Sequence, residues 1–184
     1  HRALVVIPCM LTSVPAIREL TDRLRLHWLA NLEDNAQFAL LSDWTDAPQA
    51  SMPGDSALLK EALVQIRALN DIYPVQEGNA PRFIVIHRTR VWCSTESRWI
   101  GWERKRGKLE SLVRLIATSS GSGHAGGLAA TPQARKSAAG DFYLAEGMHL
   151  AAGIRYILTL DSDTGLPPAA LRELVSIADR KSDV

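Results

Sequence analysis

The 184 residues include only two cysteines, Cys9 in an apolar run and Cys93 in a polar one, so no disulfide framework can form, and neither stands at metal-ligand spacing from another cysteine or a histidine. That usage fits a reducing, cytosolic setting. The five histidines are scattered, which leaves no His/Cys zinc site and no serine, histidine and aspartate arrangement to read from their order. A long hydrophobic run is missing as well: the longest, Ala3 to Leu11, contains a proline and is about half the roughly 20 residues a spanning helix needs. Excess charge of one sign is absent, with a formal net charge of +1. Bulk electrostatics therefore point to neither nucleic acid nor a membrane surface, and any anion site must be local. The chain opens without an initiator Met or a signal-peptide pattern, on His1 just before a strand, and is expected to be a piece of a longer protein.

What is present is the make-up of one ordinary globular domain, 46% hydrophobic and 22% charged, which is enough for a real core. Three short apolar runs, Leu4 to Ile7 (stopped by Pro8), Phe38 to Leu41 and Phe83 to Ile86, read as buried parallel strands. Ile17, Leu20, Leu24 and Trp28 recur at helical spacing between the first two. Ser56 can cap a second helix with the face Leu59, Leu63, Ile66 and Leu69. Beyond the third strand come a tryptophan-rich basic stretch, Val91 to Lys108, and a helical face of Leu109, Leu112, Val113 and Ile116. A fourth strand, Ile154 to Leu160, ends at Asp161, and Pro167-Pro168 opens a last helix. Residues 119–140, rich in Gly, Ala and Ser, read as a mobile loop, with a short helix over Asp141 to Leu150 after it. The alternation predicts an α/β fold: a doubly wound, mostly parallel sheet with helices on both faces, whose ligands bind beyond the carboxyl ends of the strands.

Asp161-Ser162-Asp163 is the best functional signal. Two carboxylates at a strand end can flank Mg²⁺ or Mn²⁺, hard cations that fill the rest of their shell with water and diphosphate oxygens. The bland alternative is a polar strand end capping the next helix. Asp43 follows the second strand, where it can reach the base or ribose of a nucleotide or simply form an Asx turn. The run Trp102 to Lys108 sets four cations beside the first turn of a predicted helix, where the helix dipole disfavours them unless an anion binds. A solvated charge run is the usual explanation for such a pattern. Trp92, Trp99 and Trp102 can stack on a base or sugar, or pack against the sheet. His87, at a strand end, reads as structural.

In that order, Leu4-Val5-Val6-Ile7-Pro8, Asp43, Lys105-Arg106-Gly107-Lys108-Leu109 and Asp161-Ser162-Asp163 resemble processive, inverting glycosyltransferases of the cellulose-synthase kind. Three segments are similar to the glycosyltransferase domain of cyclic β-1,2-glucan synthases: Ile86-His87-Arg88 with Val91-Trp92, the string Arg98 to Leu109, and Ile154 to Thr164. The resemblance implies a GT-A fold with a Rossmann-like nucleotide-binding half, UDP-glucose as donor, a glucan acceptor and inversion at the anomeric carbon. It also implies a parent enzyme on the cytoplasmic face of the bacterial inner membrane, whose remaining domains would be partners. By carry-over, Pro8, Asp43, Lys105 and Asp161 would bind the nucleotide sugar, Asp43 at the uridine, and Asp161 and Asp163 would hold the metal. The catalytic carboxylate and an acceptor-holding motif lie downstream of the Asp-x-Asp in that family. The chain is accordingly expected to be an inactive donor-binding half, with an open sheet edge that favours self-association. Two rivals remain, a haloacid-dehalogenase-type phosphatase and a non-catalytic module of the same fold.

Overall fold

A computed structural model of the chain describes residues 1–101, 104–121, 142–145, 147–161 and 163–182. In chain order the elements are β1 (Arg2–Met10), α1 (Val14–Ala30), β2 (Ala36–Asp43), α2 (Asp55–Ile72), β3 (Phe83–Arg88), β4 (Val91–Cys93), β5 (Arg98–Ile100), α3 (Arg104–Gly121), β6 (Phe142–Leu144), β7 (Ile154–Thr159) and α4 (Ala170–Ser182). The main sheet runs β6-β3-β2-β1-β7, with the last four strands parallel and β6 antiparallel at the edge. This is the doubly wound arrangement the alternation predicts. The strand order reverses at β1, so the carboxyl ends of β1 and β7 form the switch point where such sheets hold ligands.

Side-chain alternation decides what each face carries. On one face Phe38 and Phe83 meet Trp28 of α1 and Tyr73 at the end of α2. Asp43 and Arg88, one residue out of phase with Ser42 and His87, face the other way and meet Lys108 of α3. Helices therefore cover both faces. Every residue of Leu4 to Ile7, Phe38 to Leu41 and Phe83 to Ile86, on both faces, is at most 1% exposed, which explains why these strands read as unbroken apolar runs.

Several expectations are corrected. Pro8 does not stop β1, which continues to Met10. Val6 O accepts Leu160 N, and by alternation the nitrogen of Pro8 points the same way, past the point where β7 has ended. No ladder bond is lost there. Ser56 is not the cap of α2. Gly54 takes that place at φ +97°, and the first helical residue, Asp55, accepts Met52 N–H with its carboxylate. The helix expected from Leu109 starts five residues earlier, at Arg104, and runs to Gly121, overlapping the expected loop; residues 122–140 lie outside the described ones. Phe142–Leu144, expected as helix, pairs instead with the open side of β3, where Leu144 lies opposite Ile86. The tryptophan-rich stretch contributes a hairpin of β4 and β5.

Amide side chains fasten this frame where backbone ladders end. Asn70 of α2 donates to Phe83 O at 2.8 Å and accepts Phe83 N at 2.9 Å, standing in for a strand at the start of β3. Gln37 bonds Pro81 O, His149 O and Ala151 N, and Asn31 accepts Leu171 N, which ties α4 to α1. Replacing Asn70 by Ala strands both Phe83 groups and is expected to cost about 1–3 kcal/mol in urea unfolding. An unchanged midpoint would contradict the role assigned to it.

Candidate functional site

The carboxyl edge of the sheet gathers charge into two buried clusters, one on each face. On the α3 face Arg88 grips Asp43 with both arms, Nε to Oδ1 at 3.0 Å and Nη2 to Oδ2 at 3.1 Å. Lys108 Nζ forms an ion pair with Asp43 Oδ2 at 3.0 Å and donates to Cys9 O at 3.0 Å and Leu41 O at 3.1 Å. The side chains of this triad are only 2%, 5% and 4% exposed for Arg88, Asp43 and Lys108. Gly101 closes over it: a Cβ there would come within 3.1 Å of Asp43 Oδ2. Pro8 lies on the same face, since it pairs with Leu41 while Met10 pairs with Asp43.

On the α1–α2 face Ser42 Oγ and His87 Nδ1 are 2.9 Å apart, and the Trp44 ring meets the imidazole at 4.3 Å. Arg90 forms a second buried pair with Asp55 at 2.5 Å and 3.2 Å, and also donates to Thr45 O and Ala50 O. One guanidinium thereby gathers the loop between β2 and α2. The hairpin joins the same loop, because Ala47 and Trp99 exchange both backbone bonds at 2.9 Å. Burial, reinforced by the nearby Lys108, Arg90 and Arg88, pushes His87 down to about 3, while Asp55 opposes the shift. Burial likewise pushes the Cys9 thiol up to about 12, so it carries no nucleophile.

Asp161 and Asp163 stand apart from these clusters. They sit in a turn closed by Thr164 N to Asp161 O at 3.0 Å, just past β7, and both are exposed. With β1 lying between β2 and β7, the turn is two strand spacings from Asp43, about 10 Å across the sheet. Its place is the switch point. As a metal site the turn offers two carboxylates, and among the described residues no group of three His, Cys, Asp or Glu could hold an ion. That donor set fits Mg²⁺ or Mn²⁺ only when a ligand brings further oxygens. Lys105 falls in the first turn of α3, but its side chain lies outside the described residues, as does Trp102. Trp92 and Trp99 pack on each other across the hairpin, centroids 5.9 Å apart, with Trp92 53% exposed. His87, read as structural, is buried between Ser42 and Trp44.

The structure thus joins Asp43 and Pro8 on one face and sets Asp161 and Asp163 two strands away. Arg88, Lys108, Gly101 and the Arg90–Asp55 pair were not singled out as site residues from sequence. One signal was available: Asp43 and Arg88 are opposite charges closing two apolar runs of like length. Their pairing follows once β2 and β3 are placed side by side.

No protein-family model matches the chain. Among curated proteins it is similar to the cyclic beta-(1,2)-glucan synthase NdvB of Rhizobium meliloti (strain 1021), with 35% identity over 174 residues, 95% of this chain and 5% of that protein. The chain therefore matches only a short stretch of that relative. This identity supports assigning the chain, as a segment, to the cyclic β-1,2-glucan synthases whose motifs it resembles.

Two outcomes follow from the clusters. Asp43→Ala leaves two buried cations without their shared anion and is expected to destabilise the fold by about 3–5 kcal/mol in denaturant unfolding. A loss under about 1 kcal/mol would contradict the buried triad. His87 stays neutral in the fold, whereas the unfolded chain takes up a proton below its ordinary value of 6.5. Stability should therefore fall as pH drops from about 6.5 towards about 3, by up to ~1.4 kcal/mol per pH unit. His27, also lowered by burial, acts in the same direction. Unfolding midpoints between pH 7 and 5 should decline less in His87→Gln; equal decline would show that His87 is not the proton acceptor.

Proposed function

We propose, for a chain similar over 95% of its length to a segment of a cyclic β-(1,2)-glucan synthase, that it forms the donor-binding part of an inverting glucosyltransferase acting on UDP-glucose. The observation that carries this is the placement of Asp161 and Asp163, exposed in one turn at the switch point of a parallel sheet. The diphosphate would lie over that turn. Asp161 and Asp163 would hold Mg²⁺ or Mn²⁺ together with diphosphate oxygens, and the ion would supply charge neutralisation on the departing UDP.

The chain's own residues divide the remaining work. Pro8 and the end of β1 floor the gap left where β7 stops, between the carboxylate turn and Asp43. In this reading the nucleoside lies towards β2. Among the described residues Asp43 accepts two N–H donors from Arg88 and pairs with the Lys108 ammonium, and a carboxylate has room for about four acceptor contacts, so capacity is left for a uracil N–H. Lys105, at the start of α3, would lie near the phosphates, where the helix dipole favours anions. The general base that removes the acceptor hydroxyl's proton is assigned to a part of the parent outside this chain, as is the acceptor-holding motif. The parent would act at the cytoplasmic face of the inner membrane. Within this chain no described helix is long and apolar enough to cross a membrane. A phosphatase of the haloacid-dehalogenase type fits less well, since the Asp-x-Asp turn here follows an edge strand late in the chain.

Calorimetric titration of UDP-glucose in the presence of Mn²⁺ tests the proposal. The chain is expected to bind with an affinity that drops at least about tenfold in Asp163→Ala, or when Mn²⁺ is removed by chelator. Binding that is indifferent to both would remove the metal from the donor site.

A further inference from the structure

We infer that the cavity at the amino end of the main sheet, lined by Arg2 and Arg82, is a second binding site, for a small hydroxylated molecule carrying one anionic group. It lies at the other end of β1 from the donor site proposed above, roughly 20 Å away along the strand from Arg2 to Pro8, and does not depend on that proposal.

The cavity opens between the start of β1, the loop before β2 and the loop from α2 to β3, and its volume is about 330 Å³. That is the small end of the ~300–1,000 Å³ range of small-molecule sites. Its walls are already fastened. Gln37 spends its whole amide on them, donating to Pro81 O at 2.8 Å and His149 O at 2.9 Å and accepting Ala151 N at 2.9 Å. Asn79 N bonds Gln76 O at 3.1 Å and closes the outer turn. A ligand entering here has little protein to order.

Arg82 supplies the reason to expect a ligand. Its guanidinium carbon lies 4.5 Å from the centroid of the Trp28 ring. Stacking occupies the face of a guanidinium and leaves its N–H groups, which lie in the plane, to find acceptors. Arg82 Nε is buried, and among the described residues it has no hydrogen-bond partner. Such a group in a folded protein calls for an explanation. The carbonyls at the end of α1 do not provide one, since Asn31 already serves two of them, through its backbone N–H on Trp28 O and its Nδ2 on His27 O. The one carboxylate in the lining, Asp34, is exposed, where water and salt screen it. An anion with two oxygens in one plane matches the edge of the guanidinium, and Arg2 adds a second full charge. The exposed amides of Asn35, Gln76 and Asn79 both donate and accept, as the hydroxyl groups of a sugar do.

Nuclear magnetic resonance of the whole chain without metal tests the site, with glucose 6-phosphate, glucuronate and glucose as probes. The anionic probes are expected to shift the Arg82 Nε–H signal and the backbone amides of Gln76 and Asn79, with a Kd of about 1 mM or tighter for at least one of them. Tighter binding of glucose 6-phosphate would assign the anion as a phosphate ester, and tighter binding of glucuronate as a carboxylate. Glucose should bind at least about tenfold more weakly than the better anion. Arg82→Gln should remove that preference, and if this variant does not fold the unsubstituted chain still decides. Glucose binding as tightly as both anions overturns the inference, as does the absence of shifts at Arg82, Gln76 and Asn79 with all three probes. Either result leaves UDP-glucose binding with Mn²⁺ untouched, so the two proposals fail separately.

Discussion

The buried contact between Asp43, Arg88 and Lys108 is the interaction on which the rest of the carboxyl edge depends. Three charges taken out of water are costly unless each finds its partners, and here they do so through a two-point carboxylate–guanidinium pair and an ammonium that joins an ion pair to two carbonyl hydrogen bonds. The partners come from β2, β3 and α3, while the carbonyls that receive Lys108 belong to β1 and β2. One cluster thus fixes the relative positions of three strand ends and the first turns of a helix. The excess charge in that helix start, unexplained by propensity, is partly absorbed this way: Lys108 is turned inward as a structural cation, and Arg106 pairs outward with Glu110 at 2.9 Å.

A second device stiffens the opposite face. Arg90 reaches Asp55, Thr45 O and Ala50 O, and Trp44 packs against His87, so the loop that follows β2 is held against the sheet. These contacts leave a ligand at this edge few loose groups to order, which lowers the cost of binding. The carboxylate turn after β7 is different in kind. It is exposed and short of ligands for a metal by itself, which suits an ion that arrives with its nucleotide.

Much of the fold was legible in the sequence because the parallel strands are buried on both faces, and burial writes itself as continuous apolar runs. Leu4 to Ile7, Phe38 to Leu41 and Phe83 to Ile86 all fall inside strands. Boundaries were harder. Pro8 looked like a stop because its ladder direction depends on where β7 ends, which only the assembled sheet decides. Ser56 looked like a cap because the left-handed conformation of Gly54 is not visible from residue type alone. Phe142–Leu144 has too few residues for a period and took its identity from the open side of β3. At the site, Asp43 was visible as a carboxylate at a strand end, but its commitment to Arg88 and Lys108 joins residues 45 and 65 positions away, beyond any local pattern. The hairpin was missed for a related reason: Trp92 and Trp99 read as stacking on a ligand or packing against the sheet, and among the described residues their rings pack on each other across β4 and β5.

The proposed function puts a metal-bound nucleotide at the switch point, between the turn after β7 and the end of β1. Paramagnetic broadening of amide signals by Mn²⁺, with and without UDP, tests it most directly. UDP-dependent broadening is expected to centre on Asp161 to Gly165 and on Cys9 to Leu11, leaving the far ends of the strands, near Arg2 and Phe83, unaffected. Broadening centred elsewhere, or the same pattern without UDP, would contradict it.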